Sequence, residues 1–338
     1  MTSLRSVDDL LAVVPYLFGF HPADSAVVLG LRAHKIIFQV RGDLPAPVDV
    51  AGFAEYYAAI VARQRAAGAV VLGYGAGTAV TPVVLALRSA LATRRVPVID
   101  ALRVADGRYW SYLCTEPACC PPDGRPYDAT SHPLAVAAIT EGGVALPSRS
   151  VLERRFAPVD GPARQAMDEA TERAGQRVAD LMDADPDAFG VALHRGGTAA
   201  VDAAVARQWS GGRLTDDEVA WLCAVLLHLP VRDHAWESIG GDLGTHVALW
   251  TEVLRRGHPD LAAAPATLLA FAAWRAGEGA VASIALARAL DADPGYRMAL
   301  LLERALAGGI APSEWTEAAR ERPVPAARIR HSRRRPIR

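Results

Sequence analysis

Two short apolar runs joined by a polar turn constrain this chain most. Ser25 to Leu31 is rich in Val and Leu, Ile36 to Val40 is a second run, and Arg32-Ala33-His34-Lys35 separates them. Runs of this length and separation predict a β-hairpin. Their near-continuous apolarity predicts strands covered on both faces, so the neighbouring elements must pack around them.

The flanking sequence supplies those elements. Ser6-Val7-Asp8-Asp9 resembles a capping box with Asp in place of the usual Glu, and Val7, Leu10, Leu11 and Val14 follow at helical spacing. Pro15 is expected to end that helix. Phe53, Tyr56, Tyr57, Ile60 and Val61 form one face of a second helix. Ala69 to Leu72 reads as a buried strand, and Thr81-Pro82 as the N-cap and first turn of a helix running to Thr93. Val96 to Val104 and Arg108 to Leu113 read as strands joined by the Asp106-Gly107 turn. The order α-β-β-α-β-α-β-β predicts an α/β domain over residues 1–156, a mixed-sheet sandwich with flanking helices.

His132 to Gly142 reads as a further helix, and Phe156 to Pro162 as a linker. Beyond it the periodicity is helical throughout, with helices expected at about 163–184, 187–208, 216–229, 242–256, 263–277, 280–291, 295–307 and 313–320. Thr215-Asp-Asp-Glu218 is a capping box. Residues 263–296 match part of the tetratricopeptide pattern, through Leu269, the Gly277-Glu278 turn, Ala282, Leu286 and Ala289, with Asp293-Pro294 closing the unit. The large aromatic of that pattern is missing, since Ala occupies position 266. The expectation is an all-α, partly tetratricopeptide-like domain over 157–321 and a basic disordered tail over 322–338.

A hydrophobic content of 51% against 22% charged residues marks a folded chain of 338 residues, long enough for two cores. The net charge of −1 divides unevenly, because residues 322–338 hold seven arginines and no acid. That tail offers an electrostatic hold on nucleic acid or an acidic partner, without aromatics interleaved for base stacking. Lys35 is the one lysine. It stands in Ala-His-Lys-Ile, which excludes a Gly-Lys-Ser/Thr phosphate loop and a Ser-x-x-Lys nucleophile, and argues against Schiff-base chemistry. Leu10 to Val14 is too short for a secretory signal, and Leu261 to Trp274 too short to cross a bilayer. A cytoplasmic location with reduced cysteines and no membrane partner is expected.

Several stretches together resemble the actinobacterial domain-of-unknown-function family 4192. They are Val14-Pro-Tyr-Leu-Phe-Gly-Phe-His-Pro-Ala-Asp-Ser-Ala-Val-Val, Arg41-Gly-Asp-Leu-Pro, Cys114 with Cys119-Cys120-Pro121 and Gly124, Val231-Arg232-Asp233, and Ala273-Trp-Arg-Ala-Gly277. The resemblance covers nearly the whole chain and implies a cytoplasmic actinobacterial protein, with no activity attached.

Three constellations carry candidate chemistry. Gly73, Gly75, Gly77 and Thr78 lie between a strand and a helix, where glycines let backbone N–H groups approach a phosphate, with Asp100 as a ribose ligand about 20 residues on. Cys114, Cys119 and Cys120 share one loop and are candidates for a metal or a redox-sensitive disulfide, with His132 as a fourth ligand. Adjacent Cys119 and Cys120 are expected to point apart. Buried thiols packing as small hydrophobes are the ordinary alternative. The third constellation is His228, Arg232, Asp233, His234, Asp242 and His246, where Arg232-Asp233 is expected as a buried ion pair or a cap at a helix junction. Ser25 lacks the Gly-x-Ser-x-Gly elbow. No cofactor is favoured and the balance leans against an enzyme. The leading reading is a non-enzymatic binding or adaptor protein that meets a protein partner through its helical half. The rivals are a nucleotide or small-ligand sensor at residues 73–78 and a metal or redox module at the cysteine loop.

Overall fold

The computed structural model describes residues 6–33 and 35–314. Helix α1 (Val7–Phe18) opens with the Ser6 hydroxyl accepting from the Asp9 N–H at 3.0 Å. It does not stop at Pro15, which is buried inside it, but runs to a left-handed Gly19. Proline removes one helical hydrogen bond, and here the burial of Leu10, Leu11 and Val14 against the sheet outweighs that loss.

The hairpin is present. β1 (Ser25–Arg32) pairs antiparallel with β2 (Lys35–Asp43), from Ser25 opposite Asp43 to Arg32 opposite Lys35. β3 (Gly68–Tyr74) lies antiparallel on the other side of β1, and helix α3 (Gly77–Thr93) carries the chain to β4 (Val98–Ala105), parallel to β3. β5 (Arg108–Ser111) and β6 (Arg125–Pro126) complete a six-stranded mixed sheet in the order β2-β1-β3-β4-β5-β6. Alternation sets its two faces. Val27, Leu29, Val70, Leu72, Leu102 and Val104 face α1, while Ala26, Val28, Ala69, Val71 and Ala101 face α2 (Val50–Arg63) and α3. Coverage on both faces therefore holds for β1 and β3. β2 is the edge strand and its side chains are half exposed.

Helix α3 begins at Gly77, four residues before the expected cap at Thr81, so Thr81 and Pro82 sit inside it. Its tight seat on β3 explains Gly73: a Cβ there would come within 2.2 Å of Val80 Cγ1.

The remaining helices are α4 (Pro133–Thr140), α5 (Arg149–Arg154), α6 (Gly161–Ala184), α7 (Phe189–Trp209), α8 (Asp216–Val225), α9 (Leu229–Ser238), α10 (Leu243–Arg256), α11 (Ala263–Arg275), α12 (Gly279–Ala292) and α13 (Arg297–Ala307). The capping box at Thr215 and Glu218 is reciprocal. α5 and α9 were not expected. α9 starts at Leu229 with Pro230 in its first turn, where a proline opens a helix and does not break one. α11 is buried all round from Ala263 to Trp274, with Trp236 stacked on Phe271 at 3.8 Å. The α11–α12 hairpin turns at Gly277, in the left-handed conformation. The 322–338 tail and residues 315–320 of the last expected helix lie outside the described residues.

The two halves meet at α2 and at Phe156. The Tyr56 hydroxyl donates to Ala307 O at 2.9 Å, Gln64 Nε2 to Gly309 O at 2.5 Å, and Arg288 to Phe156 O at 2.6 Å. Phe20, Leu152 and Phe156 pack into the core of the helical half.

Candidate functional site

The glycine segment is shorter than a loop. Gly73 is in β3, Gly77 and Thr78 are the first residues of α3, and the connection is Gly75-Ala76 alone. Gly75 has φ +130°, a conformation closed to most L-residues, and its N–H donates to Val104 O at 3.0 Å. Ala76 caps α3 without a side-chain acceptor. Beside it, Arg103 lies 3.5 Å over the Trp110 ring, and Arg103 Nη1 would sit 3.2 Å from a Cβ on Gly77. Asp100 is not a ribose ligand for this segment. It pairs with Val70 at the opposite end of the parallel strands, and its carboxylate accepts from the Ala101 N–H.

The cysteine loop is the densest chemical cluster. The Cys114, Cys119 and Cys120 sulfurs lie within 4.8 Å of one another, and none is in a disulfide. Adjacent Cys119 and Cys120 converge, against expectation, because the chain coils there. Both their N–H groups donate to Glu116 O, at 3.0 and 2.7 Å. In such a turn successive side chains diverge by about 100° and not by the 180° of a strand. The neighbouring thiols act on one another, lowering the Cys114 pKa and pushing that of Cys120 up to about 12. His132 does not join them. Its Nδ1 accepts from Leu134 N and its Nε2 faces Asp9 at 3.3 Å, so it ties α4 to α1.

The third constellation disperses. Arg232 and Asp233 lie within α9, not at a junction, and pair with each other at 2.7 Å, the Arg232 side chain largely covered and the Asp233 carboxylate exposed and not buried. His234 bonds Asp202 at 2.7 Å, Asp242 caps α10, and His246 is buried with its pKa lowered by that burial. His228 opens α9 edge-on to His194. Ser25 begins β1 and is buried, and among the described residues its hydroxyl has no hydrogen-bond partner to act as a base.

One site was not legible in the sequence. A cavity of about 940 Å³ separates the β2 edge from α12 and α13. Every residue from Lys35 to Arg41 lines it. Strand side chains alternate between faces, so seven consecutive lining residues mean that the strand meets the cavity edge-on, main chain included. The opposite wall is Ala280, Ser283, Leu286 and Ala287 of α12, with Leu306 and Ala307 of α13. Tyr56, Tyr57 and Ile60 of α2 close one end. Burial pushes the Tyr57 phenol up to about 12, which keeps it a neutral hydroxyl.

The family model described as Domain of unknown function (DUF4192) matches residues 8–313. The chain belongs to this family. No curated protein and no solved structure matches it. The DUF4192 match spans the sheet, the cysteine loop and both walls of the cavity, so all three belong to the family unit. Among the described residues, no helix is long and apolar enough to cross a membrane.

Proposed function

We propose that this DUF4192 chain is a non-enzymatic binding protein that takes an extended segment of a protein partner along the outer edge of β2. The observation that carries this reading is the run of seven consecutive β2 residues, Lys35 to Arg41, on the wall of the 940 Å³ cavity. An unpaired strand edge offers main-chain donors and acceptors to an incoming strand. Seven residues at about 3.3 Å each give a track of roughly 23 Å. The apolar wall of α12 and α13 receives alternate side chains of the guest, and α12 is the second helix of the tetratricopeptide-like pair. The helical half thus meets the partner, and the α/β half supplies the strand.

The test is selection from a random peptide display library, followed by polarisation binding of the selected peptides. Ala287 is exposed on the cavity wall, so Ala287→Trp fills the track without touching the core. Peptides that bind the parent and lose at least about tenfold, roughly 1.4 kcal/mol, on the variant support the reading. Peptides that bind both equally, or a library that yields none, sink it.

A second reading keeps a small anionic ligand at the start of α3. It is favoured by the uncapped first turn at Gly77 and by Arg103 beside it. A ligand-induced thermal shift abolished by Arg103→Ala supports it.

A further inference from the structure

Three thiols in contact with one another call for a reason, and packing does not supply one. Cys223 has the surroundings of a packing cysteine, at 2% exposure in the helical core. Cys119 is exposed, and Cys114 and Cys120 are half-buried. The loop gathers the thiols through its own backbone. The Ser111 hydroxyl accepts from the Leu113 and Cys114 N–H groups at 3.1 Å each, and Glu116 O accepts from Cys119 and Cys120. Trp110 Nε1 donates to Pro122 O at 2.9 Å and anchors the far side. A Cβ on Gly124 would lie 2.4 Å from the Trp110 ring, so glycine there keeps the loop folded down on β5.

We infer that this loop binds one Zn²⁺ through the thiolates of Cys114, Cys119 and Cys120, with a fourth coordination position open to solvent. Tetrahedral zinc with bonds of about 2.3 Å to sulfur holds its sulfurs roughly 3.8 Å apart, and the three sulfurs are already gathered within 4.8 Å of one another. Soft thiolates select Zn²⁺, Cu⁺ or iron–sulfur clusters. An iron–sulfur cluster draws on four cysteines, and among the described residues no further His, Cys, Asp or Glu reaches this group. A zinc ion completes its tetrahedron with water, which suits three thiols of which one is exposed. On binding, the three thiols release three protons to solvent and the metal with its thiolates carries a net charge of −1. The site is independent of the β2 track, which lies at the other edge of the sheet.

The test uses the full chain, purified without chelator, stripped under reductant and titrated with Zn²⁺ and with Co²⁺. The expected result is one equivalent of metal and, for Co²⁺, a thiolate charge-transfer band with the visible bands of a four-coordinate ion. Cys114→Ser, Cys119→Ser and Cys120→Ser are each expected to lose more than the about 10–100-fold that an outer-shell change costs. Cys223→Ser is expected to bind as the parent does. Cys119 is exposed, so its variant is expected to fold, and an unchanged far-ultraviolet spectrum checks that. Three outcomes overturn the proposal: Cys119→Ser binding metal as tightly as the parent, Cu⁺ bound where Zn²⁺ is not, or a denatured mass of the chain as purified, before any reductant, two hydrogens short, which marks a disulfide in the loop.

Discussion

Gly73 and Gly75 are two residues apart, and the reasons for them differ. Gly73 exists to let α3 lie on β3, and Gly73→Ala drives a methyl into Val80. Overpacking of this kind costs about 1–3 kcal/mol, and urea unfolding is expected to show a loss of that size. A phosphate-binding role for Gly73 predicts no such loss. Gly75 holds φ +130°, so Gly75→Ala is expected to lower the melting temperature of the free protein. That variant therefore tests folding, and Arg103→Ala is the cleaner probe of an anion at this spot. His246 adds a pH dependence. Burial holds its pKa below the ordinary 6.5, with Arg275 acting the same way and the Gly240 backbone and Asp242 opposing. The unfolded chain then takes up the proton first. The stability His246 contributes is complete above about pH 6.5 and falls as the pH drops toward its folded value. Urea midpoints at about pH 7.5 and about pH 5.5, either side of the ordinary imidazole value, are expected to differ less in His246→Gln than in the parent.

At the scale of elements, what was legible in the sequence had a local cause. The β1–β2 hairpin follows from two apolar runs, and α8 from the reciprocal box of Thr215 and Glu218. What was not legible had a remote one. Pro15 stays helical because Leu10, Leu11 and Val14 pack on the sheet, whose strands lie further along the chain. α3 starts at a position without a capping side chain, since the end of β3 dictates where the helix begins. Cap rules accordingly pointed to Thr81. The same fact yields a prediction. Ala76 is exposed and already has the extended backbone of an N-cap, so Ala76→Ser supplies the missing acceptor. It is expected to raise the unfolding free energy by about 1 kcal/mol in urea titration. The cysteine cluster was half legible: the residue types were visible, but their convergence depends on the turn at Glu116 that brings neighbouring thiols to one side.

For the whole molecule, the site sits where sequence reading has least to work with. Tyr56 meets Ala307, and Gln64 meets Gly309, across some 250 residues of chain, and no local pattern announces such a seam. The two walls of the cavity come from different halves, so a guest strand there bridges them. Hydrogen exchange is expected to slow on both walls together when a selected peptide is added, over 35–41 in β2 and over 283–287 in α12. A ligand at the start of α3 instead slows exchange around residues 75–79 and leaves the seam as it was. The size of the effect follows from linkage: a peptide at 100 times its Kd adds about 2.7 kcal/mol to the folded state, if it binds only that state. For a guest that contacts β2 and α12 at once, that increment is expected in the unfolding of both halves. Protection confined to α12 would mean that the helical half binds alone and that the edge of β2 plays no part.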